Sequence, residues 1–246
     1  MKPYLTLLFF SFLLLTKAQN ATEIVKKMDE HMRGKSSNAE LLIRTVRPSW
    51  TREMTVRTWM KGADYAMILV LSPAKEKGIV FLKRKKEVWN WIPALERNIK
   101  LPPSMMTNSW MGTDFTNDDL VKEASAVEDY SHTILKDTVV AQNDCYLIEF
   151  LPKPNTAIVW GKLQVAIDKK YFIERYTAFY DEAGKLVNIM LADELKTMDG
   201  RLIPTHMQMI PIDKKGQKTE LYYKSIFFNK TIEDDFFNTE KMKQIY

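Results

Sequence analysis

Nucleophilic and acid–base catalysis require a nucleophile, a base and a group that orients the base. The chain offers few such side chains: one cysteine, Cys145, and three histidines, His31, His132 and His206. No Gly-x-Ser-x-Gly elbow accompanies them. The histidines are scattered, without HExxH or other metal-ligand spacing. Each reads as a packing or surface residue, and Cys145 as a small buried one. A lone cysteine also excludes an internal disulfide framework and a Cys-rich zinc module. Adjacent acids occur at Asp118/Asp119, Glu128/Asp129 and Asp234/Asp235. A glycosidase needs two carboxylates across a cleft, whereas pairs at helix starts and turns are caps or solvated charge. Glycine-rich phosphate loops are absent. The expectation is a protein that is not an enzyme, with no catalytic residue, no cofactor and no bound metal.

The chemistry these residues do support is apolar binding. The chain is 46% hydrophobic, with 14 methionines, 6 tryptophans, 10 tyrosines and 12 phenylalanines. Trp89-Asn90-Trp91 puts both indoles on one strand face, because residues two apart share a face. A stretch near residue 105 gathers Met105, Met106, Trp110 and Met111, and Thr205-His206-Met207-Gln208-Met209 puts two methionines on one face. Any one of these can be ordinary core. Methionine, unbranched and adaptable, is over-used on surfaces that accept varied apolar ligands. Trp89, Trp91, Met106, Trp110, Met111, Met207 and Met209 are therefore candidate liners of an apolar pocket. Gly112 and Asp114 would set the turn of a lid over it.

These residues need elements to position them. Residues 1–18 read as a cleaved secretory signal peptide: Lys2, an apolar run from Tyr4 to Leu15, then Thr16-Lys17-Ala18 before Gln19. The run is too short for a spanning helix, which needs about 20 residues. Without the leader the chain keeps 34 basic against 31 acidic residues, a net charge of +3, too mild for nucleic acid as an obligatory partner. Residues 20–33 have the apolar spacing of one amphipathic helix (Ile24, Val25, Met28, His31, Met32), with Asn20 and Glu23 at capping-box spacing and Gly34 at its end. Strands are expected at 39–47, 52–61, 64–71, 78–83, 87–92 and 97–101. After an insert, more follow at 133–140, 145–151, 160–168, 171–180, 185–196, 202–211 and 217–229. Lys83-Arg84-Lys85-Lys86 reads as a hairpin turn with solvated charge, and Asp199-Gly200 as a two-residue hairpin turn. The insert, 102–130, suggests a short helix from Ser104 to Met111. A second would be capped by Thr116, with Leu120, Val121 and Ala124 as its apolar stripe. Residues 232–243 look like a closing turn with Phe236 and Phe237 packed inward. No linker or repeat interrupts residues 19–246, which read as one domain.

So many long antiparallel strands cannot lie in a flat open sheet without curling. In 64–71 both faces are apolar, with Tyr65, Met67, Leu69 and Leu71 on one and Ala66, Ile68 and Val70 on the other. A sheet with one wet face does not read that way, so the second face needs a cover, and the helical segments are the available ones. The expected fold class is mainly β with helices: a strongly curved, half-open antiparallel barrel with a helical lid.

At these residues the chain resembles the outer membrane lipoprotein-sorting protein family, the broad LolA-like group of exported carriers. The matching text is Trp89-Asn90-Trp91-Ile92-Pro93, Glu96-Arg97, Lys100-Leu101, Met111-Gly112-Thr113-Asp114-Phe115-Thr116 and Asp119-Leu120. It continues with Tyr146 to Phe150, Tyr180 to Lys185, Asp199-Gly200-Arg201 and Pro204-Thr205. The resemblance implies a half-open barrel wrapped around a long helix, closed by lid helices, whose apolar cavity holds the acyl chains of lipid or lipoprotein in the periplasm. It implies transfer toward the outer membrane by a monomer that needs no cofactor and no nucleic acid. An inner-membrane exporter of the resistance–nodulation–division (RND) type is an implied partner, and an envelope sensor or adaptor domain the alternative role. The namesake carriers hold the lid shut with an arginine on an early strand. The corresponding stretch here, Met60-Lys61-Gly62-Ala63-Asp64-Tyr65, has none, and Lys61 lacks the planar fork of a guanidinium.

Overall fold

The computed structural model describes residues 20–122, 125–154, 156 and 158–245. The signal peptide expected at 1–18 lies outside them. A helix, α1 (Ala21–Arg33), opens the described chain; the Asn20 side chain caps it by accepting from Thr22 N, and Gly34, at φ 64°, ends it. Six strands follow: β1 (Ser36–Arg47), β2 (Trp50–Lys61), β3 (Tyr65–Ser72), β4 (Val80–Arg84), β5 (Glu87–Ile92) and β6 (Arg97–Lys100). Beyond the insert come β7 (Tyr130–Val140), β8 (Asn143–Pro152), β9 (Lys162–Asp168), β10 (Glu174–Tyr180), β11 (Leu186–Met198), β12 (Arg201–Pro211) and β13 (Lys218–Phe228). Each corresponds to a strand expected from alternation. β10 starts three residues later than its alternation suggests. The Asp168 carboxylate accepts from the backbone N–H groups of Lys170 and Tyr171, both at 2.8 Å, and holds 169–172 as a turn.

The strands form one antiparallel sheet in the order β6-β5-β4-β3-β2-β1-β13-β12-β11-β10-β9-β8-β7. Two meanders, β1–β6 and β7–β13, are thus joined by one long-range pairing, in which Ser37 lies opposite Phe228 and Val46 opposite Lys218. β6 and β7 are left as edges, so the barrel is open along one side. The insert runs from one edge strand to the other.

The insert is less helical than its sequence suggests. It contains two 3-10 turns, Pro103–Met105 and Trp110–Gly112, and one π-helical turn, Asp118–Lys122. Met111 and Gly112 take left-handed backbone angles (φ 48° and 76°), which no continuous helix admits. Thr116 does cap the second turn. Its Oγ1 accepts from Asp119 N at 3.1 Å while its own N–H donates to Asp119 Oδ2 at 2.8 Å, the reciprocal pattern of a capping box. Ala124 and the Val121 side chain, named as part of an apolar stripe, lie outside the described residues.

Alternation sorts the apolar side chains to two faces. On the inner face Ala39, Leu41, Ile43, Val56, Ile68, Phe81 and Val88 join one buried cluster with Trp110 and Phe115 of the insert. α1 packs against the far wall of the same face, with Ile24, Val25 and Met28 against Ile148, Phe150, Val165 and Ile167. On the outer face Met67, Leu69, Val80, Leu82 and Trp91 are covered by Phe237 and Met242, both fully buried. The cover of the second face is thus the C-terminal segment, with its 3-10 turns Asp234–Phe236 and Lys241–Lys243, and not the helical segments at 20–33 and 102–130, which corrects the expectation from the sequence. Phe236 reinforces it by packing its ring on Trp59 at 5.5 Å. Lys61 Nζ fastens it by donating to Ile232 O at 2.8 Å and Asp234 Oδ1 at 2.6 Å.

Candidate functional site

The inner face encloses a cavity of about 340 Å³, within the size range of small-molecule sites, about 300–1,000 Å³. α1 contributes Met28 and Met32 to its wall, β1 and β2 contribute Leu41, Ile43 and Val56, β11 and β12 contribute Met190 and Met207, and the insert closes it with Trp110, Phe115 and Leu120. The insert is therefore a lid in the geometric sense, and α1 forms the wall beside it.

The nine residues singled out from the sequence divide into four groups. Trp110 and Met207 line the cavity. Met106, Met111 and Met209 belong to the apolar cluster around it without lining the void. Trp89 and Trp91 share a strand face, but it is the outer one, where Trp91 is buried under the C-terminal segment and Trp89 packs beside it. Their assignment to the cavity is corrected. Alternation shows that two residues share a face and not which face, and the inner position in β5 belongs to Val88. Gly112 and Asp114 sit in the lid turn.

That turn is held by arginines from the tip of the β1–β2 hairpin. Arg47 Nη1 donates to Asp114 Oδ2 at 2.9 Å and Arg47 Nη2 to Gly112 O at 3.0 Å. Arg52 Nη2 donates to Met111 O, while its Nη1 is paired with Glu76 at 3.1 Å. Thr219 completes the clasp from β13: its hydroxyl donates to Asp114 Oδ2 at 2.7 Å and accepts from Asp114 N at 2.9 Å. The Asp114 side chain is 3% exposed and that of Arg47 12%, so the pair is largely shielded from water. Lys61, the residue in the stretch aligned with the carriers' arginine, holds the C-terminal segment instead. The guanidinium clasp lies at the opposite end of the same two strands.

Among the described residues the cavity wall carries four acidic or basic side chains, Asp29, Arg33, Asp119 and Glu174. Arg33 and Asp29 pair one helical turn apart at 3.1 Å. Asp119 accepts from Trp160 Nε1 at 2.8 Å through one oxygen and from Thr116 N through the other. Burial pushes the carboxyls of Asp119 and Glu174 above the usual carboxylate range, because removing them from water penalises the charged form. Over the window between the ordinary and the raised value, Glu174 is protonated when folded and ionised when unfolded. The folded state then binds more protons, and stability falls as pH rises through that window. His132, held down by burial, has the opposite slope below its usual range, so a variant comparison isolates the carboxyl. Glu174→Gln is expected to gain thermal midpoint on the wild type progressively as pH rises above the ordinary carboxylate range. Melting curves across that range check this, and a difference independent of pH would contradict it.

Sequence spacing also missed a charged cluster on the outer face. Asp193, Glu194 and His206 bring one ligand atom each within 4.8 Å of one another. The cluster is already knit by protein contacts. His206 Nδ1 meets Asp193 Oδ1 at 2.7 Å, its ring stacks on Tyr222 at 4.5 Å, and the neighbouring Glu220 is taken by Lys218 at 2.6 Å. His206 is separated from His31, whose Nε2 meets Leu202 O, and from His132, whose Nδ1 meets Thr22 Oγ1.

An antiparallel sheet left open on one side, with an apolar cavity on its inner face and a clasped lid, is the LolA-like open barrel. The chain belongs to a family of uncharacterized proteins whose model matches residues 62–244. No curated protein matches it in sequence. A DUF1329 family protein from Desulfovibrio piger superposes with a TM-score of 0.81 at 20% identity, covering 90% of this chain and 97% of that one. A LolA superfamily protein from Nitrosomonas europaea gives 0.80 at 21% identity over 91% and 100% of the two chains. A domain described as an outer membrane lipoprotein-sorting protein domain, from Vibrio parahaemolyticus, gives 0.79 at 22% identity over 91% and 98%. These likenesses establish the fold that the sequence resemblance implied. No helix among the described residues is long and apolar enough to cross a membrane.

Proposed function

We propose that the chain is an exported periplasmic carrier that shelters acyl chains of lipid or lipoprotein in the cavity and carries them toward the outer membrane, without a catalytic step of its own. The observation that carries the reading is the methionine- and aromatic-lined void beneath a clasped lid. Burying each methylene of an acyl chain is worth about 0.8 kcal/mol, so the apolar wall supplies the affinity. The clasp on Asp114 sets how readily the cargo leaves. The description of the Vibrio domain as a lipoprotein-sorting one supports the same class of cargo. In this reading residues 1–18 are the leader, 19–246 the carrier domain, and an inner-membrane exporter of the RND type a donor.

Ala39 faces the void from the first third of β1 and is 3% exposed. Ala39→Phe fills the space the chain would occupy while adding only apolar surface. It is expected to weaken binding of a fluorescent acyl probe by about tenfold or more, at a cost to folding of about 1–3 kcal/mol from overpacking. Titration of wild type and variant with the same probe measures this. Equal affinity would place the probe elsewhere and overturn the reading.

A further inference from the structure

Glu174 is the first residue of β10, and it faces the cavity because of a defect in that strand. Glu174 lies opposite Ile167 of β9, but the next pair is Tyr176 with Ala166, so Arg175 is bulged out of the ladder. In a regular strand residues three apart point to opposite faces. The bulge brings Glu174 and Thr177 to the same side, where the Thr177 hydroxyl donates to Glu174 Oε1. Arg175 turns instead to Asp168 at 3.4 Å, so the adjacent guanidinium does not neutralise Glu174. The Glu174 Oε2 has no protein partner among the described residues. Among the described lining residues the single cation, Arg33, is held by Asp29. Elsewhere the wall is mainly apolar. Burial in such a place favours the neutral form of a carboxyl, because an unpaired buried charge is costly, and burial does raise Glu174. A neutral carboxyl is a hydrogen-bond donor.

We infer that Glu174 is a specificity residue of the cavity, donating a hydrogen bond to the neutral ester or amide carbonyl of an acylated ligand and disfavouring the carboxylate of a free fatty acid. The inference rests on the acyl-carrier reading and adds the chemical form of the cargo. Asp119, the other unpaired-by-cation carboxyl of the wall, has both oxygens occupied by Trp160 and Thr116. It therefore offers a bound head group no free oxygen. A free fatty acid would have to bury its carboxylate in a wall whose single described cation, Arg33, is already paired with Asp29, a desolvation cost that a neutral ester or amide avoids.

The test is competition for a fluorescent acyl probe by methyl laurate, laurate and dodecylamine at near-neutral pH, on the full chain and on Glu174→Gln and Glu174→Leu. The wild type is expected to prefer methyl laurate over laurate by about tenfold, the scale of one hydrogen bond plus the avoided charge. Glu174→Gln, whose amide still donates, should keep most of that preference. Glu174→Leu should lose most of it while still binding the probe, and remain folded because the substitution removes a buried polar group. Equal competition by ester and acid in the wild type overturns this inference and leaves the carrier reading standing. So does a preference for the amine, or an unchanged ratio in Glu174→Leu. Failure of the wild type to bind the probe or any of the three ligands overturns both.

Discussion

Asp114→Ala is expected to destabilise the folded chain by about 2–4 kcal/mol and to loosen the lid before the sheet. The Asp114 carboxylate accepts from Arg47 and Thr219 at 2.9 and 2.7 Å in a setting nearly closed to solvent. Its removal leaves the Arg47 guanidinium with the backbone carbonyls of Val46, Lys218 and Gly112. Removing one partner of a buried pair is costly mainly because the other charge stays buried. Arg47 retains a narrow path to water, which places the effect at the lower end. Asp114→Asn, which can still accept from Thr219, should cost less. Denaturant midpoints give the stability, and hydrogen exchange gives the location. Amides of the lid turn, such as Trp110 N bonded to Phe115 O at 2.8 Å, should exchange faster in the variant while those of β1 and β13 change little. Unchanged lid exchange would show that the clasp does not hold the lid.

Trp110→Ala should be the most damaging single truncation in the lid, at about 3–5 kcal/mol. The indole is fully buried, packs its ring 5.5 Å from Phe81, and closes the cavity roof. Truncation removes that apolar area and enlarges the void beneath it. Trp110→Phe should cost clearly less. The indole Nε1 is buried without a hydrogen-bond partner among the described residues, so replacing it removes a polar atom that contributes nothing. Chemical denaturation of both variants decides this. Equal losses for Phe and Ala would mean that the indole N–H matters and the packing argument is wrong.

The fold was legible because its rules are local. Period-two alternation with turns such as Asp199-Gly200 located all thirteen strands, and apolar side chains on both faces of 64–71 required a covered sheet. What alternation cannot supply is the sense of a face. It grouped Trp89 with Trp91 correctly and could not say that the C-terminal segment would cover them. The lid was visible as a break in the strand rhythm, with Trp110 in its roof. Its arginines were not, because Arg47 and Arg52 meet residues 111–114 only after the chain has folded, more than fifty positions away. Glu174 was equally hidden: its orientation depends on a bulge at Arg175, and a one-residue insertion in a ladder leaves no mark on composition or spacing.

Native mass spectrometry of the protein released from the envelope of its own cells would show whether the cavity holds an acyl chain there. A mass excess matching one acylated molecule is expected on the wild type and absent from Ala39→Phe prepared in the same way. A wild type that carries no such ligand, or an excess that survives in the filled-cavity variant, would contradict the carrier reading.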